Sequence, residues 1–217
     1  RVEVIPHGDE SALVRGEPVR PSQCEPLAVF FGSLSRYKGL DVLLDAHARV
    51  LDTLPGARLL IAGSLIPDLD VVELRRRCAA LSGVTLQVGY VPIDDVAALV
   101  GSARVIVAPY RRSNASGVVR LAQTLGRPVV VTDVGDLSES VDDGETGLVV
   151  AVEDSASLAQ AMVRILDDGT LADRMGKEGR QRLLATASWP LVAQRVSDIY
   201  GQLLGRRERA VGGRPHR

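Results

Sequence analysis

The stretch LAVFFGSLSRYKGLDVLLDAHARVLDTLPGARLLIAG, Leu27 to Gly63, holds two short apolar runs separated by a segment of different period. LAVFFG and ARLLIAG each have the length of a buried strand and end in glycine, as strand-to-helix loops often do. Between them Leu40, Leu43, Leu44, His47, Leu51 and Leu54 fall at helical spacing and mark one apolar face. Parallel strands need a crossover of this kind, so the stretch reads as a βαβ unit. The alternation continues through VTLQVG (84–89), RVIVAP (104–109), RPVVVT (127–132) and GLVVAV (147–152), with a later helix marked by Leu158, Ala161, Met162, Ile165 and Leu166. Six strands with helical crossovers predict an α/β fold, a doubly wound six-stranded parallel sheet of Rossmann-like form with C-terminal helices. Residues 1–26 read as a leading segment (RVEVIPHG) and a linker (EPVRPSQCEP). Residues 27–204 read as the domain and 205–217 as a disordered basic tail.

A chain of 217 residues, 46% hydrophobic and with a net charge of −1, is long enough for a real core. No apolar run approaches the roughly 20 residues of a membrane span, and the first residues lack a signal-peptide layout, so the expectation is a cytoplasmic protein. Cys24 and Cys78 are far apart and have no metal-type spacing, which predicts free thiols and no metal site. Aromatics at 3% and basic residues interleaved with acids argue against nucleic-acid recognition. A basic-tail reading through Arg206, Arg207, Arg209, Arg214 and Arg217 has no other support.

With strand order 3-2-1-4-5-6, the topological switch point lies between strands one and four, and ligands bind outside the carboxyl ends there. The loops at those ends are GSLSRYKG and PYRRSNASG. They supply Ser33, Ser35, Arg36 and Lys38 from one side, and Arg111, Arg112, Ser113, Asn114 and Ser116 from the other. Ser116 and Gly117 open a helix whose free N–H groups and dipole favour an anion. Either Ser116 caps that helix and the arginines sit in solvent, or the two loops meet a phosphate; two facing basic loops favour the second. No Gly-x-Gly-x-x-Gly follows the first strand and no Gly-Lys-Ser/Thr loop is present, so the common dehydrogenase and nucleoside-triphosphatase fingerprints are missing.

The ordered motifs VIPHG, FFGSLSRYKGLDVLLDA, LLIAG, GYVPIDDVAAL, VIVAPY and GRPVVVTDVGDLSESVDDGETGLVV cover nearly the whole chain. In this order the chain resembles the C-terminal, donor-binding half of a GT-B glycosyltransferase of the retaining family 4 type. The resemblance implies a hexosyltransferase that uses a UDP-, GDP- or ADP-sugar and no separate cofactor. Lys38, with Arg111, would stabilise the leaving diphosphate. Donor contacts would come from Gly32, Ser33, Arg36, Lys38, Tyr110, Arg112 and Asn114, from the amides of Ser116, Gly117 and Val118, from the Val91 backbone at the base, and from positions Leu121 and Glu139. Glu139 reads equally as an exposed carboxylate near a helix end. The acceptor would sit on an N-terminal half. That half would also carry any peripheral membrane association, and the last helix, left without it, would favour self-association. The other reading of the same resemblance is a degenerate binding or regulatory module that no longer transfers sugar.

Several positions depart from the family pattern. Two glutamates common in relatives, for the donor sugar and the ribose, correspond to Ser113 and Leu121. Ser33 stands where many members have Arg, Asp136 where many have Gly, and Ala115 where another branch has Gln. His7 reads as a turn-stabilising residue and His47 as a satisfied core histidine.

Overall fold

A computed structural model describes residues 3–113 and 116–211. Six strands form one sheet: β1 (Leu27–Phe31), β2 (Arg58–Gly63), β3 (Val84–Val88), β4 (Val105–Ala108), β5 (Val129–Thr132) and β6 (Gly147–Val150). Their order is β3-β2-β1-β4-β5-β6, and every pairing is parallel. The fold expected from the alternating runs is therefore present, with the switch point between β1 and β4. Central strands β4 and β5 are buried along their whole length, as continuous Val/Ile runs require. Edge strand β3 alternates instead, exposing Thr85 and Gln87.

The helices are α1 (Leu40–Thr53), α2 (Val71–Ala79), α3 (Ile93–Gly101), α4 (Gly117–Thr124), α5 (Asp136–Glu139), α6 (Ser155–Asp167), α7 (Gly169–Ala187) and α8 (Trp189–Val211). Helix α1 packs on α2 and α6, α4 packs on α3 and α7, and the sheet lies between the two sets. None of the described helices is long and apolar enough to cross a membrane. Both cysteines are free.

Three expectations change. The stretch 17–26 is strapped to the domain rather than running free as a linker. Fully buried Arg127 donates to the carbonyls of Ala103 (3.0 Å) and Val19, Arg104 donates to the carbonyl of Cys24, and Ser22 donates twice to Asp173 at 2.7–2.8 Å. The carbonyls of Val19 and Cys24 lie outside the short 3-10 turn at Pro21–Gln23, which leaves them free to accept from these two guanidiniums. The last helix runs past the boundary drawn after residue 204 and ends at Val211, because one glycine followed by arginines, Glu and Ala does not stop a helix. Residues 212–217 lie outside the described residues. His47 is fully buried as expected, but neither ring nitrogen has a hydrogen-bond partner among the described residues: the α1 period carries it inward, toward the Ser82 backbone.

The leading segment docks on the start of α8. The Trp189 indole donates to the Asp9 carbonyl at 2.8 Å, and the His7 ring lies 5.9 Å from the Trp189 ring. Along α8 Val192 is buried, whereas Trp189, Leu191, Tyr200, Leu203 and Leu204 are exposed.

Candidate functional site

At the switch point the β1 and β4 loops are locked together by the main chain. The Arg111 amide donates to the Tyr37 carbonyl at 2.8 Å. Gly39 has a left-handed φ of 69°, and a Cβ there would stand 2.0 Å from the Pro109 carbonyl oxygen, so only glycine fits. Gly135, after β5, is held equally close to the Ser113 carbonyl. The loops after β1, β4 and β5 thus form one rigid rim.

Lys38 projects into this rim. Its Nζ lies 3.5 Å from the centroid of the Tyr110 ring and 5.0 Å from that of Tyr37. No carboxylate pairs with it among the described residues, and burial pulls its pKa down to about 8. A cation resting on aromatic faces, partly desolvated and without an acid, is suited to receive an anion.

Opposite stands the start of α4. Ser116 occupies the N-cap position, but its side chain makes no capping bond. Its hydroxyl is engaged with the buried Tyr110 phenol, whose own pKa burial pushes up to about 12. The first turn carries no acid, and a Cβ at Gly117 would meet no atom within 4 Å. Neither the Ser116 side chain nor an acid of the first turn therefore occupies the N-terminal amides of α4. Gly32 lies beside them, since a Cβ there would be 3.9 Å from Val118 Cγ2. Gly32 thus lies beside Val118, and Tyr110 links the two loops, with Lys38 over its ring and Ser116 at its phenol; Ser33, next to Gly32, is solvent-accessible.

Other expected residues are placed differently. Arg111 is held by a bidentate pair with Asp41 (2.8 and 2.9 Å), by Glu153 (2.8 Å) and by the Arg36 carbonyl (2.7 Å), so its donors face α1 and the loop after β6. Those bonds raise its pKa further, and they keep Asp41 below the usual carboxylate range although burial pushes the other way. Tyr110 forms the buried floor under Lys38 rather than an exposed donor. The Leu121 side chain is packed in the core, because α4 turns Val119, Leu121 and Ala122 inward. The side chain of Val91, in the loop after β3, is likewise buried. Glu139 is exposed on α5, and its carbonyl accepts from Arg182. Arg36 and Arg112 line a neighbouring cavity, with Arg112 5.5 Å from the Tyr37 ring. Asn114 lies outside the described residues.

Three participants are not evident from the sequence: Asp41, Glu153 and Tyr37. Asp41 and Arg111 are 70 positions apart, a pairing that spacing does not reveal. Tyr37, between Arg36 and Lys38, is the one visible signal, since an aromatic between two cations offers both a face.

The profile of the family described as Glycosyl transferases group 1 matches residues 25–168. Glycogen synthase of Mycobacterium tuberculosis is 30% identical over 199 residues, 92% of this chain and 48% of that protein. The chain spans about half the length of the curated relatives it matches. A sucrose-phosphate synthase structure from Thermosynechococcus elongatus superimposes with a TM-score of 0.78 at 30% identity, covering 94% of this chain and 53% of that one. The Anabaena HepE structure in complex with UDP-glucose shares the fold, with a TM-score of 0.78 at 19% identity over 92% of this chain and 57% of its own.

Proposed function

The chain belongs to the group 1 glycosyl transferases, and from that premise we propose that it is the donor-binding half of such an enzyme, holding a nucleotide-diphosphate sugar for retaining hexosyl transfer. The observation that carries this reading is Lys38 over the Tyr110 ring, with no acid paired to it among the described residues and with the Tyr110 phenol meeting Ser116 at the start of α4. As the bond from sugar to diphosphate breaks, negative charge grows on the leaving phosphate. Lys38 and the amides of Gly117 and Val118 stabilise that charge at fixed positions, which favours the transition state over the ground state. The Val91 backbone meets the base, and Glu139 is the carboxylate nearest in role to the donor sugar. The acceptor sits on an N-terminal half, in keeping with coverage of about half of each relative. The exposed face of α8 at Tyr200, Leu203 and Leu204 meets that half.

A panel of UDP-, GDP- and ADP-sugars titrated by calorimetry tests the reading. One donor binds, and Lys38→Ala weakens it; a chain that binds none of the three is not a donor half.

A second reading, a binding or regulatory module without transfer, is favoured by one set of positions. Ser113 and Leu121 replace the two carboxylates, and Arg111 is tied to Asp41 and Glu153. Joining the chain to an N-terminal half and measuring nucleoside-diphosphate release separates the two, because only the enzyme releases it with acceptor present.

A further inference from the structure

On one side of the switch point, α1, α2 and the loops after β1, β2, β4 and β6 line an open cavity of about 1120 Å³. Its walls include Arg36, Tyr37, Asp68, Arg111, Arg112 and Glu153, but neither Lys38 nor any residue of α4. Tyr37 is the shared wall, since Lys38 Nζ rests 5.0 Å from the centre of its ring.

Most charges around the cavity are internally matched. Arg111 pairs with Asp41 and Glu153, Arg77 with Asp45, and Glu73 with Arg76. Two cations are not. Among the described residues neither Arg36 nor Arg112 has a carboxylate partner, and Arg112 has only the Tyr37 face at 5.5 Å. The acids of the wall keep acceptor capacity as well. Asp68 accepts the Ser35 hydroxyl on one oxygen at 2.6 Å, and Glu153 takes Arg111 on one oxygen. Glu153 also has a backbone φ of 61°, the one left-handed non-glycine conformation among the described residues. A side chain bearing a Cβ takes that conformation at a cost, and such strain gathers where a wall must be held in one shape.

Unpaired guanidiniums select phosphate oxygens, carboxylate oxygens with free lone pairs accept sugar hydroxyls, and an aromatic face packs against a ring. The volume of about 1120 Å³ lies just above the usual range of small-molecule sites, roughly 300–1,000 Å³. We propose that this cavity is a second ligand site, separate from the diphosphate crevice, for a phosphorylated polyol of hexose monophosphate type, with the phosphate on Arg36 and Arg112 and the hydroxyls on Asp68 and Glu153. The proposal stands independently of the donor reading.

The test titrates glucose 6-phosphate, inorganic phosphate and glucose into the wild-type chain, the Arg36→Ala/Arg112→Ala variant and Lys38→Ala, with UDP as the probe of the diphosphate crevice. Glucose 6-phosphate binds wild type about tenfold or more tightly than phosphate or glucose alone, and the double arginine substitution weakens it by a similar factor. Lys38→Ala leaves glucose 6-phosphate binding intact, and saturating UDP does not displace it. Absence of saturable glucose 6-phosphate binding overturns the proposal. So does equal affinity for inorganic phosphate, which marks generic anion attraction, or competition by UDP, which merges the cavity with the crevice. UDP that binds no variant tells against the donor reading alone, because the arginine comparison is made without it.

Discussion

The Nζ of Lys38 stands 3.5 Å from the centre of the Tyr110 ring, so the one lysine of the crevice rests on a neutral aromatic floor instead of against an acid. An ion pair there would have to be broken before a diphosphate could bind. A cation–π contact needs no such exchange, because the anion approaches from the open side. Arg111 plays the complementary part. Paired with Asp41 and Glu153, it holds the β4 loop against α1 and fixes where Tyr110 and Lys38 lie.

Lys38 makes binding pH-dependent. Burial lowers its pKa from 10.5 to about 8 in the folded chain, so between those values the unfolded chain holds more protons than the native one. The Lys38 contribution to stability therefore rises with pH across that window. Diphosphate affinity moves the other way, because only the protonated amine attracts the anion. Calorimetry from about pH 7 to about 9.5 will show affinity falling above pH 8 by up to about tenfold per unit, and Lys38→Met will remove the slope. A flat profile in the wild type would exclude Lys38 as the phosphate cation.

Leu121 is a core residue at the position where the family resemblance places a ribose-binding acid. Leu121→Ala should cost about 2–5 kcal/mol in urea unfolding, the range for buried leucine truncation. Since no side chain of α4 offers a carboxylate to the ribose, removing the 2′-hydroxyl of the nucleotide should weaken binding by less than about tenfold. A larger loss would require another carboxylate at the ribose, and Glu139 is the first to substitute.

Arg111 should register in stability more than in ligand affinity. Its pair with Asp41 is bidentate but partly exposed, so Arg111→Met should destabilise by roughly 1–2 kcal/mol. Asp41 has its folded pKa below 3.8, so its contribution is complete above that value and is lost as pH falls through the lowered one. The variant should lose less stability than wild type on acidification below about pH 4. An Arg111→Met chain that unfolds like wild type but no longer binds nucleoside diphosphate would reverse this assignment.

Much of this is legible in the sequence, and the reasons are local. Six apolar runs of strand length, joined by helical stripes such as Leu40 to Leu54, define the order of elements, and crossover handedness then leaves few sheets to choose from. The place proposed for the donor follows from the strand order, which puts the switch point between β1 and β4. What stays hidden depends on distance or on helix phase. Arg111 has the look of a phosphate ligand until Asp41 and Glu153, remote in sequence, are found beside it. Leu121 has the place of a ligand in the motif, although Val119, Leu121 and Ala122 together already mark an inward face. Arg127, at the edge of a strand in the sequence pattern, is the buried clamp for Val19 and Cys24, an arrangement that only the docked strap reveals.

His47 offers a stabilising substitution. Its ring is buried with both nitrogens unpartnered, and burial lowers its pKa. The unfolded chain therefore takes up the proton first as pH falls through about 6.5, and stability declines with it. His47→Leu should raise stability by about 1 kcal/mol near neutrality and flatten the profile between about pH 5 and 7. Destabilisation with an unchanged pH profile would mean that the ring is satisfied in solution.

The most direct test of the donor crevice is the calorimetric affinity of the best-bound of UDP, GDP and ADP for wild type, Lys38→Ala and Gly117→Val. An added Cβ at Gly117 meets no atom within 4 Å, so valine there is expected to obstruct a phosphate approaching the amides rather than the fold. The account predicts a loss of about 1.5–3 kcal/mol for Lys38→Ala, the range for a charged hydrogen bond, and a comparable loss for Gly117→Val with the unfolding midpoint nearly unchanged. Both variants binding as tightly as wild type would contradict it and remove the diphosphate from this end of the sheet.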